Sequence, residues 1–191
     1  MDTYAARPVL WPEIRALLLA AMAVFTYTIT IGILNGIDAI EFDQRRILGH
    51  VHGGTLGWLT LAVFAASLWL FGEGKPLTQR ERMFARWLAV GAIVAFAAYV
   101  LAFSLTYGNW RPVLGTISTI VIAGQFLWVL ARARGVELGV PHWGFLAALG
   151  TSIVGGILGI LWGLQLATGD KYLPTDGEGA HPATMVVGFL V

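Results

Sequence analysis

Residues 47–72 read Ile47-Leu48-Gly49-His50-Val51-His52-Gly53-Gly54-Thr55-Leu56-Gly57-Trp58-Leu59-Thr60, then Leu61-Ala62-Val63-Phe64-Ala65-Ala66-Ser67-Leu68-Trp69-Leu70-Phe71-Gly72, without one Asp, Glu, Lys or Arg. A helix needs about 20 apolar residues, each rising about 1.5 Å, to cross about 30 Å of hydrocarbon. The run therefore predicts a membrane-spanning helix. Working outward, equivalent stretches occupy 16–37, 87–110, 112–131 and the interior of 138–169, the last opening at Pro141, where proline suits a first helical turn. A sixth helix opens at Pro182 and the sequence ends at Val191, about 15 Å of helix and half a span. The expectation is an all-α, polytopic transmembrane helix bundle with five complete helices plus a truncated sixth. It forms one transmembrane domain over 1–191 that reads as incomplete at its C-terminal end.

Composition agrees. Of 191 residues 57% are hydrophobic and 12% charged, with mean hydropathy +0.74. Soluble domains carry about 25% charged residues, so water could not cover this surface. The lipid bilayer is the expected partner. A net charge of +1 with no basic run gives no footing for nucleic acid. With no cysteine, disulfides, iron–sulfur clusters and thiolate metal sites are excluded, and any iron must be held by His, Met, Tyr or carboxylates. No nucleophile elbow, phosphate loop or paired intramembrane carboxylate supports hydrolysis or phosphoryl transfer.

Arginine and lysine set the orientation. The N-terminus and the loops after helices 2 and 4 carry Arg7, Arg15, Lys75, Arg80, Arg82, Arg86, Arg132 and Arg134, against Arg45, Arg46, Arg111 and Lys171 on the other side. Eight against four predicts a cytoplasmic N-terminus in a bacterial-type inner membrane. Trp11, Trp69, Trp87, Trp110 and Trp143 fall near predicted helix ends, as an interfacial belt requires.

The chain also repeats itself. Helix 1 ends in Gly32-Ile33-Leu34-Asn35-Gly36 and helix 5 in Gly159-Ile160-Leu161-Trp162-Gly163, an offset of 127. After each comes a polar loop and a helix opening on histidine: His50 precedes Gly57-Trp58-Leu59 as His181 precedes Gly188-Phe189-Leu190, an offset of 131. The expected organisation is a four-helix unit at about 14–133 and the start of a second at 138–191.

Seven positions are two helical turns, so His50 and Gly57 share a face, with Gly53 or Gly54 between them. An imidazole above a smooth face suits a flat macrocycle, although glycine faces also let helices pack closely and a histidine near a helix end can cap backbone groups. Imidazole is the strongest iron or copper ligand in a cysteine-free chain. His50 and His52 point about 200° apart on a helix. The spacing to glycine selects His50 as the counterpart of His181, whereas the H-x-x-T register shared by Thr55 and Thr184 selects His52; both stay open. His142, beside Trp143 at the other side, reads as interfacial. Gly144, Ala148, Ser152, Gly156, Gly159 and Gly163 form a close-packing seam.

Histidines on helices 2 and 6 with a four-helix period resemble the heme-copper oxidase superfamily, the catalytic subunit and its non-oxidase relatives in nitric-oxide metabolism. Arg45-Arg46-Ile47-Leu48-Gly49-His50-Val51-His52 looks like that family's arginine-then-histidine opening of helix 2, and His181-Pro182 like its His-Pro start of helix 6. The resemblance implies a twelve-helix bundle of three arcs, with heme on His50 or His52 beside Gly53 and Gly57. It also implies copper or non-heme iron on His181, and oxidoreductase chemistry with an unidentified redox partner. It covers about twenty residues, and Ala183 stands where the family often has an acid. The family's ligands on its seventh and tenth helices lie beyond this sequence, so missing C-terminal helices become a second expected partner. A different class is a repeat-containing transporter or a non-catalytic membrane scaffold with no cofactor.

Overall fold

The computed structural model describes residues 8–73, 75–105 and 110–190. Within them the chain is all-α: α1 Trp11–Gly36, α2 Gln44–Gly72, α3 Gln79–Leu105, α4 Trp110–Ala133 and α5 Val140–Thr168, each long and apolar enough to cross a membrane. A sixth helix, α6, covers 180–190 as the α turn Ala180–Ala183 continued by a π-helix, Thr184–Leu190. The chain is an integral, multi-pass membrane protein.

The hydrophobic runs located the spans, while polar residues set their ends. Asp43 caps α2: its Oδ1 accepts the Arg46 backbone N–H at 3.0 Å and its Oδ2 meets Arg45 at 2.8 Å. These contacts, the Arg46 amide foremost, hold the Asp43 carboxyl below its ordinary range. α3 starts eight residues before Trp87 because Thr78 and Glu81 form a reciprocal cap, Glu81 Oε2 accepting Thr78 N–H and Thr78 Oγ1 accepting Glu81 N–H. Trp110 opens α4 rather than closing α3; residues 106–109, expected as the last turn of the third span, lie outside the described residues.

In lipid, burying an aliphatic side chain gains little over leaving it against acyl chains, so close packing and hydrogen bonds must hold the helices together. α2 is the centre: half of its most apolar window is buried, against 17% for α5. It packs on α1, α3, α4 and α5, while α4 joins α3 to α5 and α5 carries α6. Phe64 and Phe96 meet edge to face at 5.7 Å in the core, with Leu17, Leu61 and Leu149 around them. A side chain at Gly57 would collide with Val24, and one at Gly124 would come within 2.8 Å of Leu88, so these glycines set the close approach of α2 to α1 and of α4 to α3. The α5 seam divides: Gly156 faces Thr119 and Gly163 faces Pro112 on α4, whereas Gly155 and Gly159 face α6.

Among the described residues one cation is entirely inside. Arg132, 2% exposed, donates to Phe71 O (3.0 Å), Gly72 O (3.3 Å) and Pro76 O (3.2 Å), and also to Lys75 O. It meets Glu81 Oε1 at 3.4 Å. Lys75 returns the contact by donating to Ala131 O and Arg134 O. Each cation thus satisfies carbonyls that the other helix end leaves without intrahelical partners.

Candidate functional site

α2 is helical through Gln44–His52 and then widens to a π-helix over Gly53–Thr60. His50 and His52 therefore point to different sides. His50 turns toward α1, where its Nδ1 lies 2.7 Å from Thr28 O and 2.9 Å from Thr28 Oγ1. The Thr28 hydroxyl donates to His50 O at 2.7 Å, closing a two-way clamp. A Cβ on Gly32, one turn along α1, would sit 3.0 Å from His50 Cε1, so the ring rests on bare backbone.

His181 repeats this arrangement on α5. Its Nδ1 lies 2.7 Å from Gly155 O, and a Cβ on Gly159 would stand 2.8 Å from its Cε1. Thr28 and Gly155 are 127 residues apart, as are Gly32 and Gly159; His50 and His181 are 131 apart. The next contacts down follow the same offsets: Gly57 faces Val24, Gly188 faces Thr151, and the π-helices begin at Gly53 and Thr184. Short π segments within α-helices are frequent at functional sites.

His52 is held differently. Its Nδ1 donates to Leu48 O of its own helix at 2.8 Å, and the ring stacks on Phe103 at 3.8 Å with Tyr99 edge-on at 5.6 Å. Both His52 and His181 border a cavity of about 530 Å³ among α2–α5, whereas His50 borders a shallow groove of about 340 Å³ between α1 and α2, beside Phe25, Gly54 and Trp58.

Carbonyl oxygens only accept, so each of these three imidazoles carries its proton on Nδ1 and keeps the Nε2 lone pair in its neutral form. That is the tautomer in which a histidine binds a metal through Nε2 with its other nitrogen fixed by an outer acceptor. His142 has the opposite tautomer: its Nδ1 accepts the Gly139 N–H at 3.1 Å, capping α5. His142 thus differs in tautomer from His50, His52 and His181.

Gly53 and Gly57 are covered by other helices, Gly57 by Val24 and Gly53 by Thr28 and Val100, which leaves Gly54 as the glycine bordering the groove beside His50. Thr55, a candidate acceptor for an α2 imidazole, donates its hydroxyl to Val51 O; Thr28, Leu48 and Gly155 hold the rings instead. Among the described residues no group of three or more His, Asp or Glu side chains assembles as a metal cage.

No family model, curated protein or solved structure matches the chain. Resemblance to the heme-copper oxidases thus rests on the residues quoted above, and the function must be argued from the site.

Gln165 positions the connection from α5 to α6. Its Oε1 accepts the Tyr172 and Leu173 amides and its Nε2 donates to Glu178, folding residues 169–179 back over the end of α5 so that His181 reaches Gly155.

Proposed function

We propose that the chain is a heme- or metal-binding membrane protein of respiratory or nitric-oxide type that presents His50 and His181 as ligands. The observation that carries this reading is the doubled clamp: a histidine on an even helix, its Nδ1–H spent on a carbonyl of the preceding helix, its ring on a glycine one turn further along. Core histidines satisfied by chance have no reason to repeat partner, tautomer and supporting glycine together. The matched contacts support a repeated hairpin, α1–α2 and α5–α6, and His50 as the α2 ligand in preference to His52, whose bond lies within its own helix.

On this reading His50, with Gly54 and Trp58 beside it, would hold the heme, and His181 would hold copper or non-heme iron. One imidazole gives one bond, so further ligands come from groups that the described residues do not assemble. When bound, heme would supply one-electron chemistry; the chain's own residues orient the imidazoles and shield them with aromatic walls. The arginine bias supports a cytoplasmic N-terminus, which puts these histidines toward the outer face of an inner membrane.

Optical spectra of the protein isolated from its own membrane fraction test the proposal. A Soret band is expected, lost in His50→Ala and kept in His52→Ala, with His181→Ala changing bound copper or iron but not the heme band. A protein free of heme and metal would overturn the reading and leave the clamps as helix fasteners of a transporter or scaffold. A band that survives His50→Ala and disappears in His52→Ala would overturn the ligand assignment alone.

A further inference from the structure

The cavity beside His52 carries chemistry that the histidine clamps leave unused. It holds about 530 Å³ and adjoins a deeper chamber of about 250 Å³, the two sharing Leu48, His52, Tyr99, Gly159, Trp162 and His181. Their combined size is that of a small-molecule site, and such sites place a few polar groups in mainly apolar walls. Here the polar groups are separated by depth. Arg111 and Gln44 line the outer space, His52 stands where the two meet, and Ser118 lines the inner chamber.

Two of these groups point to a ligand independently. The Arg111 guanidinium lies 4.6 Å over the Phe103 ring, with one nitrogen donating to Phe103 O at 3.3 Å, which fixes the cation at the rim of an apolar space. A cation held at such a rim attracts an anion more strongly than it would in water, because the surroundings screen it less. At the far end Ser118 is 2% exposed and its Oγ has no hydrogen-bond partner. A buried hydroxyl left in that state costs about 1–3 kcal/mol, which a ligand oxygen would recover. Arg111 and Ser118 lie seven residues, about 10 Å, apart along α4.

We propose that this cavity binds an amphipathic acid, an apolar molecule whose carboxylate or phosphate meets Arg111 and whose body passes His52 and Trp162 to place a second oxygen at Ser118. The site goes beyond the heme and metal reading and stands without it, although His181 borders both.

Trp162 makes the proposal measurable, since bromine quenches an adjacent indole. The full chain in zwitterionic lipid nanodiscs is titrated with brominated decanoic acid, and Trp162→Phe isolates the contribution of that residue. Saturable quenching of Trp162 is expected, with the midpoint raised about tenfold or more in Arg111→Gln, as loss of a charge-assisted hydrogen bond requires, and partly restored in Arg111→Lys. Competition by decyl phosphate would place the acid on lipid-type headgroups as well as carboxylates, and no competition would confine it to carboxylates; either is consistent with the cationic rim. A decanoic acid with a terminal hydroxyl should compete better than the plain acid, an advantage lost in Ser118→Ala. Brominated decylamine tests the head group on the unaltered protein, independently of how any variant folds. Equal quenching by the amine, or quenching that rises without saturating, means partition into the bilayer and overturns the site. An unchanged midpoint in Arg111→Gln overturns the role of Arg111.

Discussion

Replacing Arg132 with leucine removes the donor for four carbonyls, Phe71, Gly72, Lys75 and Pro76, and for Glu81. Leucine fills much of the volume, so the loss is electrostatic rather than a cavity. Hydrogen bonds to a charged group contribute about 1.5–3 kcal/mol each, but carbonyls at a helix end near the membrane surface can recover water, so the bonds cannot simply be summed. Breaking a buried ion pair by removing one partner costs about 3–5 kcal/mol, and Arg132 at 2% exposure qualifies. Because Glu81 keeps 29% of its side chain in solvent, the lower half of that range is expected. Equilibrium unfolding in mixed micelles, followed by near-ultraviolet dichroism, would give the value. Arg132→Lys should lose about half as much, its single ammonium having three donors for five acceptors. Arg134→Leu, an exposed neighbour, should fall within about 0.5 kcal/mol of the parent. If Arg132→Leu cost no more than Arg134→Leu, the cation would not be joining the α2 and α4 ends, and the reasoning would be wrong.

The remaining predictions concern smaller contacts. Gly159→Ala should drive the His181 ring from Gly155 O, destabilising by about 1–3 kcal/mol and shifting the His181 ring nitrogens in a nitrogen-15 spectrum, whereas Gly144→Ala, with open space at its Cβ, should change neither. Gln125 is fully buried with Oε1 unpartnered, so Gln125→Leu should cost less than about 1 kcal/mol, while Ser67→Ala, which strands the Gln125 amide nitrogen as well, should cost about 1–3 kcal/mol in the same unfolding assay. Since the folded Asp43 carboxyl titrates below its ordinary 3.8, its cap is intact above that pH and is lost as pH falls through the lowered value. Amide exchange at Arg46 and Ile47 should accelerate only below about pH 4, and Asp43→Asn should remove that dependence.

The spans could be read directly because lipid imposes a length and excludes charge, two properties visible in any run of sequence. What lay at their ends was harder. Thr78-Gln79-Arg80-Glu81 has the Thr-x-x-Glu spacing of a capping box, yet its arginine and glutamate, with Arg82 after them, read as loop, which moves the expected start of α3 to Trp87. Arg132 reads from sequence as one more loop charge, since nothing in one sequence shows that Lys75 and the end of α2 come to meet it. Where His50 and His52 face needed a backbone, since Thr28 and Gly155 lie 22 and 26 residues away from the histidines they hold. Nor did the glycines at 53, 54 and 57 reveal whether they admit a ring or a neighbouring helix; Val24 decided that for Gly57.

The π-helices at Gly53–Thr60 and Thr184–Leu190 also bear on ancestry. A π turn holds more residues than an α turn, so an α-helix can absorb an inserted residue in this form without breaking. The two π segments begin 131 residues apart, the same offset as His50 and His181. If the two hairpins descend from one, the extra residue entered before the hairpin was copied, because two later insertions would have had no reason to choose the same place. Deleting one residue from either segment would then recreate the older form of that helix and turn its histidine end by about 100° relative to the rest of the span.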